Sequence, residues 1–188
     1  ILILGGSQGA QVFNALIPET ISLLPKDLQR RLEIFHQCRQ ETLPSVKSAY
    51  QKTGVTVHLQ SFFKDIPQLL STINFVISRS GASTLGEVAT SGIPALFVPY
   101  QQAKDDHQTA NALNLERRGA AWVIPQSQFT SNRLKYVLEA ALENPEILLA
   151  ASEASNCLKS HEASQKLADL ILNIVLTQSK ANKRTKIL

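Results

Sequence analysis

The chain opens on an apolar run, Ile1–Leu4, which leads through Gly5-Gly6-Ser7-Gln8-Gly9-Ala10 into Val12, Phe13, Leu16 and Ile17 at helical spacing. The same alternation of short apolar runs and helix-periodic stretches continues. Leu32–Phe35 reads as a second strand ending in His36-Gln37, followed by a helix over about Glu41–Lys52 that Gly54 closes. Val55–Leu59 alternates as a third strand, and a short helix runs through Leu69 and Leu70. Phe75–Ile77, Ala95–Val98 and Ala121–Ile124 supply three more strands. A helix from Ala82 and another carrying Ala110, Leu113 and Leu115 separate them. Helices are expected over Thr130–Glu143, Pro145–Leu158 and His161–Gln178. Pro18 should kink or interrupt the first helix, because proline removes one donor and crowds the preceding turn.

Six short strands alternating with helices predict an α/β fold with a doubly wound, six-stranded parallel sheet of the Rossmann kind. The expected domain spans residues 1–178, with a basic tail over 179–188. In such sheets ligands bind beyond the carboxyl ends of the strands. Three segments of suitable chemistry leave those ends: the glycine loop, Ser78–Pro94, and Pro99–Gln108. They are expected to converge on one crevice.

Ser78–Pro94, S-R-S-G-A-S-T-L-G-E-V-A-T-S-G-I-P, is the richest of them. Gly81 turns the chain into a helix opening with Ala82-Ser83-Thr84, and Glu87 lies one turn further on the same side. Unpaired amides at a helix start suit phosphate or a polar sugar, and a nearby carboxylate accepts from a ribose diol. The competing reading is a capping box, with Ser83 or Thr84 capping the helix and Glu87 bonding back to its start. The glycine loop likewise reads either as a phosphate cradle or as a plain tight turn. It matches neither G-x-G-x-x-G nor a Walker loop.

Composition narrows the classes. With 188 residues, 44% of them hydrophobic, the chain is long enough for one substantial core. It has no Met and starts inside a strand, so it is expected to be a piece of a longer protein. The net charge of +4 owes much to Lys180, Lys183, Arg184 and Lys186 in the tail. No basic stripe interleaved with aromatics supports nucleic-acid binding. Cys38 and Cys157 have neither CxxC spacing nor a histidine partner and are expected to be reduced thiols of a cytosolic domain. No membrane span or signal peptide is visible.

Four motifs occur in this order: G-G-S-Q-G-A, H-Q after the second strand, S-R-S-G-A-S-T-L-G-E, and D-H-Q-T-A-N-A. In sequence and spacing they resemble the C-terminal half of the MurG family of bacterial glycosyltransferases, from Ile1 to about Gln178. The resemblance implies a GT-B enzyme, in which two Rossmann-like domains face each other and UDP-GlcNAc lies mostly on the C-terminal one. It implies inverting transfer of GlcNAc to lipid I, undecaprenyl-pyrophosphoryl-MurNAc-pentapeptide, making lipid II on the inner face of the cytoplasmic membrane. By motif, Ser7 and Gly9 would contact the diphosphate, and the Phe63 backbone would hold the uracil edge. Glu87 would take the ribose hydroxyls. Ala82, Ser83 and Thr84 would face the phosphates and GlcNAc, while His107 and Gln108, supported by Asn111, would bind the sugar.

No cofactor is implied, and no metal, there being no Asp-x-Asp pair. The acceptor site and the base are expected in an N-terminal domain outside this chain. One departure stands out: the family continues H-Q with a small residue and glycine, whereas here His36-Gln37 precedes Cys38-Arg39. His36 and Gln37 are therefore carried over only weakly. The last helix presents Leu167, Leu170, Ile171, Ile174 and Val175 as a stripe expected to be buried by docking on the N-terminal domain, or else to lie on a membrane surface. Two alternatives remain: another UDP-sugar transferase of this fold or its separate donor subunit, and a non-catalytic nucleotide-sugar-binding module. An NAD-binding domain fits least, because no acidic residue ends the second strand.

Overall fold

The computed structural model describes residues 1–6, 10–100, 106–157 and 168–174. Six strands, β1 (Leu2–Leu4), β2 (Glu33–Gln37), β3 (Thr56–Gln60), β4 (Val76–Ser78), β5 (Ala95–Phe97) and β6 (Ala121–Val123), form one sheet in the order β3-β2-β1-β4-β5-β6. Every pairing is parallel. The doubly wound sheet expected from the alternation of elements is thus the one observed. The strand order reverses between β1 and β4, which opens the crevice where ligands of such sheets bind. Register there is tight: Leu4 pairs with Ser78 and Ser78 with Phe97. The three segments singled out in the sequence therefore leave the sheet side by side and at one level.

Up to residue 157 the described α-helices are α1 (Gln11–Leu23), α2 (Lys26–Gln29), α3 (Leu43–Tyr50), α4 (Ile66–Leu70), α5 (Ala82–Ser91), α6 (His107–Glu116), α7 (Ser131–Glu143) and α8 (Pro145–Asn156). Phe13, Ile17 and Ile21 of α1, Val46 and Tyr50 of α3, and Leu134 and Leu138 of α7 bury one face of the sheet against Ile3, Ile34, Ile77 and Leu96. Leu70, Val88, Ala112 and Leu115, from α4, α5 and α6, bury the other against Leu2, Val76, Phe97 and Val123. The buried strands β1, β4 and β5 are apolar on both sides, as central parallel strands must be. β3 lies at the sheet edge and alternates.

Several expectations are corrected. Pro18 does not interrupt α1, which runs on to Leu23. A proline inside a helix costs about 3 kcal/mol, and burial of Phe13, Ile17 and Ile21 at roughly 1.5–3 kcal/mol each outweighs it. β2 extends through His36 and Gln37, because both pair with β3. The helix expected over Glu41–Lys52 is a 3-10 turn, Gln40–Thr42, followed by the shorter α3, with Pro44 in its first turn. His107 and Gln108 are not in a loop but open α6.

Residues 168–174 are helical and are described by themselves; the rest of the helix expected over His161–Gln178, including Leu167 and Val175, and the tail lie outside the described residues. Leu170, Ile171 and Ile174 are at least half exposed. An apolar stripe is buried only where a second element supplies a matching surface. No helix among the described residues is long and apolar enough to cross a membrane. Cys38 is buried and Cys157 exposed, and both are free thiols.

Candidate functional site

The start of α5 stands beyond the carboxyl end of β4. Its N-cap is Gly81, in extended backbone, which has no side chain to cap the helix start. The first helical bond runs from the Leu85 amide to the Gly81 carbonyl at 2.9 Å. The amides of Ala82, Ser83 and Thr84 precede it and have no partner within the helix. Ser83 and Thr84 are therefore first-turn residues and not caps, and the capping-box reading fails. Ala82 and Ser83 are exposed, Thr84 partly so. One turn on, Glu87 is exposed and no hydrogen bond or ion pair engages its carboxylate among the described residues; only its main-chain carbonyl is used, accepting from Ser91 Oγ at 2.8 Å. Unpaired amides with a partial positive charge thus lie one turn from a free carboxylate acceptor.

The segment after β5 returns to the same place. The Tyr100 amide donates to Gln108 Oε1 at 3.0 Å, and the hydroxyl of fully buried Ser80 donates to the Gln108 carbonyl at 2.9 Å. Asp106 precedes α6 with φ of 50°, a left-handed conformation that a short polar side chain tolerates. Its carboxylate accepts from Thr109 Oγ1 at 2.6 Å. His107, at the first helical position, is exposed, and Asn111 is half-buried one turn further. Residues 101–105 lie outside the described residues.

Of the glycine loop, Gly5, Gly6 and Ala10 are described. Gly6 has φ of 74°, which glycine adopts without strain. Ser7 and Gly9, the expected diphosphate contacts, lie outside the described residues. α1 begins after Ala10 with no side-chain cap; the Phe13 amide donates to the Ala10 carbonyl at 2.8 Å, and the amides of Gln11 and Val12 have no partner within the helix.

Arg79 lies between Ser78 and Ser80, in the turn that leads from β4 to α5. It is half-buried, and burial lowers the pKa of its guanidinium. Nη1 donates to the Val98 and Pro99 carbonyls at 3.0 and 3.2 Å. The guanidinium carbon lies 5.1 Å from the Phe13 ring centroid and 5.4 Å from that of Tyr100. A charged residue two positions after the apolar run Phe75–Ile77 was the signal that could have found it.

Two expected residues belong elsewhere. His36 is fully buried, and its Nδ1 lies 3.0 Å from the Tyr50 hydroxyl. Burial pushes its pKa down to about 4, so the imidazole is neutral near pH 7. It packs in the cluster beneath α1 and α3 instead of facing the crevice. Gln37 donates to the Ser61 carbonyl at 3.3 Å and ties β2 to the segment after β3. The Phe63 side chain is buried edge-on to Phe35, ring centroids 6.3 Å apart, in the cluster that holds Leu4 and Val88. Only its main chain is therefore left for a ligand, on the α5 side of the sheet. Phe62 is exposed.

The profile of the glycosyltransferase family 28 C-terminal domain matches residues 1–182. The chain belongs to that family. It is 41% identical over 96% of its length to a protein of Paramagnetospirillum magneticum named UDP-N-acetylglucosamine–N-acetylmuramyl-(pentapeptide) pyrophosphoryl-undecaprenol N-acetylglucosamine transferase. A protein of the same name from Chelativorans is 44% identical over 90% of the chain. The match covers 49% and 45% of those two proteins, so the chain spans about half the length of the curated relatives it matches. Among solved structures, Acinetobacter baumannii MurG superposes with a TM-score of 0.83 at 34% identity, over 92% of this chain and 51% of that one. The glycosyltransferase of kitacinnamycin, at 20% identity and a TM-score of 0.66, shares the fold. Within the family 28 C-terminal domain, the crevice at the β1–β4 switch point is the site described above.

Proposed function

We propose that this chain is the donor-binding half of an inverting, GT-B transferase that moves GlcNAc from UDP-GlcNAc to lipid I, forming lipid II. The observation that carries the reading is the start of α5, where uncapped amides and the free Glu87 carboxylate share one exposed turn at the switch point. Glu87 would accept from the two ribose hydroxyls. The amides of Ala82, Ser83 and Thr84, with Ser7 and Gly9 of the glycine loop, would hold the diphosphate. The main chain of Phe63 would meet the uracil edge, and His107, Gln108 and Asn111 the sugar. The names of the relatives, which specify UDP-N-acetylglucosamine and an undecaprenol-linked acceptor, support this substrate pair.

In the reaction, the MurNAc 4-hydroxyl oxygen bonds to the anomeric carbon as the bond from that carbon to the UDP oxygen breaks. The hydroxyl proton passes to a base, and the electron pair of the broken bond leaves with UDP. The helix dipole and open amides would stabilise the negative charge that develops there, a contribution preorganised before the bond breaks. The acceptor and the base are assigned to the half of the relatives that this chain does not match, and the membrane's inner face to the setting where a lipid-linked acceptor is met.

Calorimetric titration of the chain with UDP-GlcNAc, UDP-glucose, UDP and NAD tests the reading. Saturable binding of UDP-GlcNAc and UDP, without binding of NAD, is expected. Binding of NAD, or no UDP binding by a folded chain, contradicts it.

A further inference from the structure

We propose that the outer edge of β3 is a homodimer interface, where two copies of this chain pair their β3 strands antiparallel about a two-fold axis at His58. The inference stands apart from the donor-site reading, because β2 and β1 separate β3 from the switch point and the pairing leaves the crevice open. The sheet has two edge strands, β3 and β6, and they differ. At β6 the Ile124 amide donates to the Phe97 carbonyl at 3.0 Å, so the Val123 amide points away from the sheet, where Glu116 Oε1 accepts it at 2.9 Å. A side chain thus blunts that edge. At β3 the Cys38 amide donates to the Gln60 carbonyl at 3.0 Å, and register with β2 is continuous from Thr56 to Gln60. Thr56, His58 and Gln60 therefore turn their main-chain groups to β2, and Val57 and Leu59 turn theirs outward. No hydrogen bond takes up those outward groups among the described residues. The strand carries no proline, bulge or full charge that would keep a second strand away.

A row of open amides and carbonyls calls for another extended strand, and a second β3 fits it. Antiparallel about His58, Val57 of each copy faces Leu59 of the other, and each such pair exchanges both of its main-chain bonds. Val57 and Leu59 share the α3 side of the sheet, where they line an open apolar groove with Leu43, Pro44 and Lys47. Pairing continues that apolar face across the axis and sets Thr56 opposite Gln60, polar on polar. α3 runs opposite to β3, so the same axis brings Lys47 of one copy level with the start of the other's α3, where Glu41 is exposed. The approach is charge-complementary. His58 lies on the other face, its Nε2 2.8 Å from Glu33 Oε1 and its ring stacked on Phe35, so each imidazole brings its own carboxylate to the axis.

The test is sedimentation of the 188-residue chain over a concentration series, with oxidative cross-linking in a Cys157→Ser background that removes the exposed native thiol. A dimer is expected. Val57→Pro deletes an outward amide and no bond to β2, so it should sediment as a monomer with an unchanged far-ultraviolet spectrum. Opposed His58 residues form a non-hydrogen-bonded pair with Cα atoms about 4.5 Å apart, within the roughly 4.4–6.8 Å that a disulfide spans. His58→Cys should therefore cross-link to its own copy, whereas Thr56→Cys, which faces Gln60, should not. If Val57→Pro fails to fold, the two cysteine variants decide. A monomer at every concentration, a dimer that folded Val57→Pro leaves intact, or a disulfide pattern without preference for position 58 overturns the proposal. None of these outcomes bears on UDP binding, so the donor-site reading stands or falls by its own titration.

Discussion

The Ser80 hydroxyl, fully buried, donates to the main-chain carbonyl of Gln108 at 2.9 Å and joins the turn before α5 to the first turn of α6. These two helices carry Glu87 and His107, the residues proposed to hold opposite ends of one ligand. Ser80→Ala removes the donor while leaving the small buried volume nearly filled. It should cost about 1 kcal/mol of stability, read by urea denaturation, and weaken UDP-GlcNAc binding. An unchanged midpoint would show that the bond carries no net stability.

A second prediction concerns pH. The His36 pKa is about 4 in the folded chain, against an ordinary value of 6.5, because burial disfavours the imidazolium. Between those values the unfolded chain binds more protons, so stability rises with pH across that window and is lost as pH falls from about 6.5 toward 4. The full contribution is on the order of 3 kcal/mol. His36→Gln should flatten this part of the profile, and an unaltered slope in the variant would contradict the assignment. Tyr50→Phe removes the hydroxyl beside Nδ1 and should destabilise at neutral pH by about 1–3 kcal/mol.

Helix starts supply a third. Thr130 caps α7 by accepting from the Arg133 amide at 3.3 Å, so Thr130→Ala should cost about 1 kcal/mol. Ser83→Ala and Thr84→Ala, at a helix start that no side chain caps, should leave the thermal midpoint nearly unchanged. A loss at Ser83 or Thr84 equal to that at Thr130 would restore the capping-box reading.

Gly6 supplies a fourth. Its φ of 74° is left-handed, and the space where a Cβ would stand is open. Gly6→Ala should therefore meet only the backbone penalty, about 1–2 kcal/mol, in a denaturation experiment. A neutral substitution would show that the turn relaxes.

Much of this architecture was legible in the residues. The apolar runs at Ile1–Leu4, Phe75–Ile77 and Ala95–Val98 marked strands buried on both faces, and their alternation with helices implied the parallel order and the convergence of three loops. What misled were positions where tertiary packing outweighs local preference. Pro18 stays inside α1 because Phe13, Ile17 and Ile21 hold that helix on the sheet. His36 alternates to the buried face of β2, where Tyr50 waits on α3, a contact that strand register alone does not reveal. Ser83 and Thr84 have the residue types of a cap, yet Gly81 turns the chain two residues before Ser83 and places both inside the helix. The Gln108 carboxamide looked free for a sugar, but its oxygen closes onto the Tyr100 amide eight residues back, and only its nitrogen remains available. Arg79 escaped notice because its partners are carbonyls and rings, which no motif encodes.

The central claim is that Glu87 accepts from a ribose diol. Glu87 is exposed and outside the core, so Glu87→Ala should leave the melt unaltered and isolate the contact. The most direct measurement is a calorimetric cycle: the unsubstituted chain and Glu87→Ala, each titrated with UDP and with 2′-deoxy-UDP. The account predicts that Glu87→Ala weakens UDP binding by about 1–3 kcal/mol and weakens 2′-deoxy-UDP binding by distinctly less, because one of the two hydroxyls Glu87 accepts from is already absent. Equal losses for both ligands, or no loss for either, would contradict it.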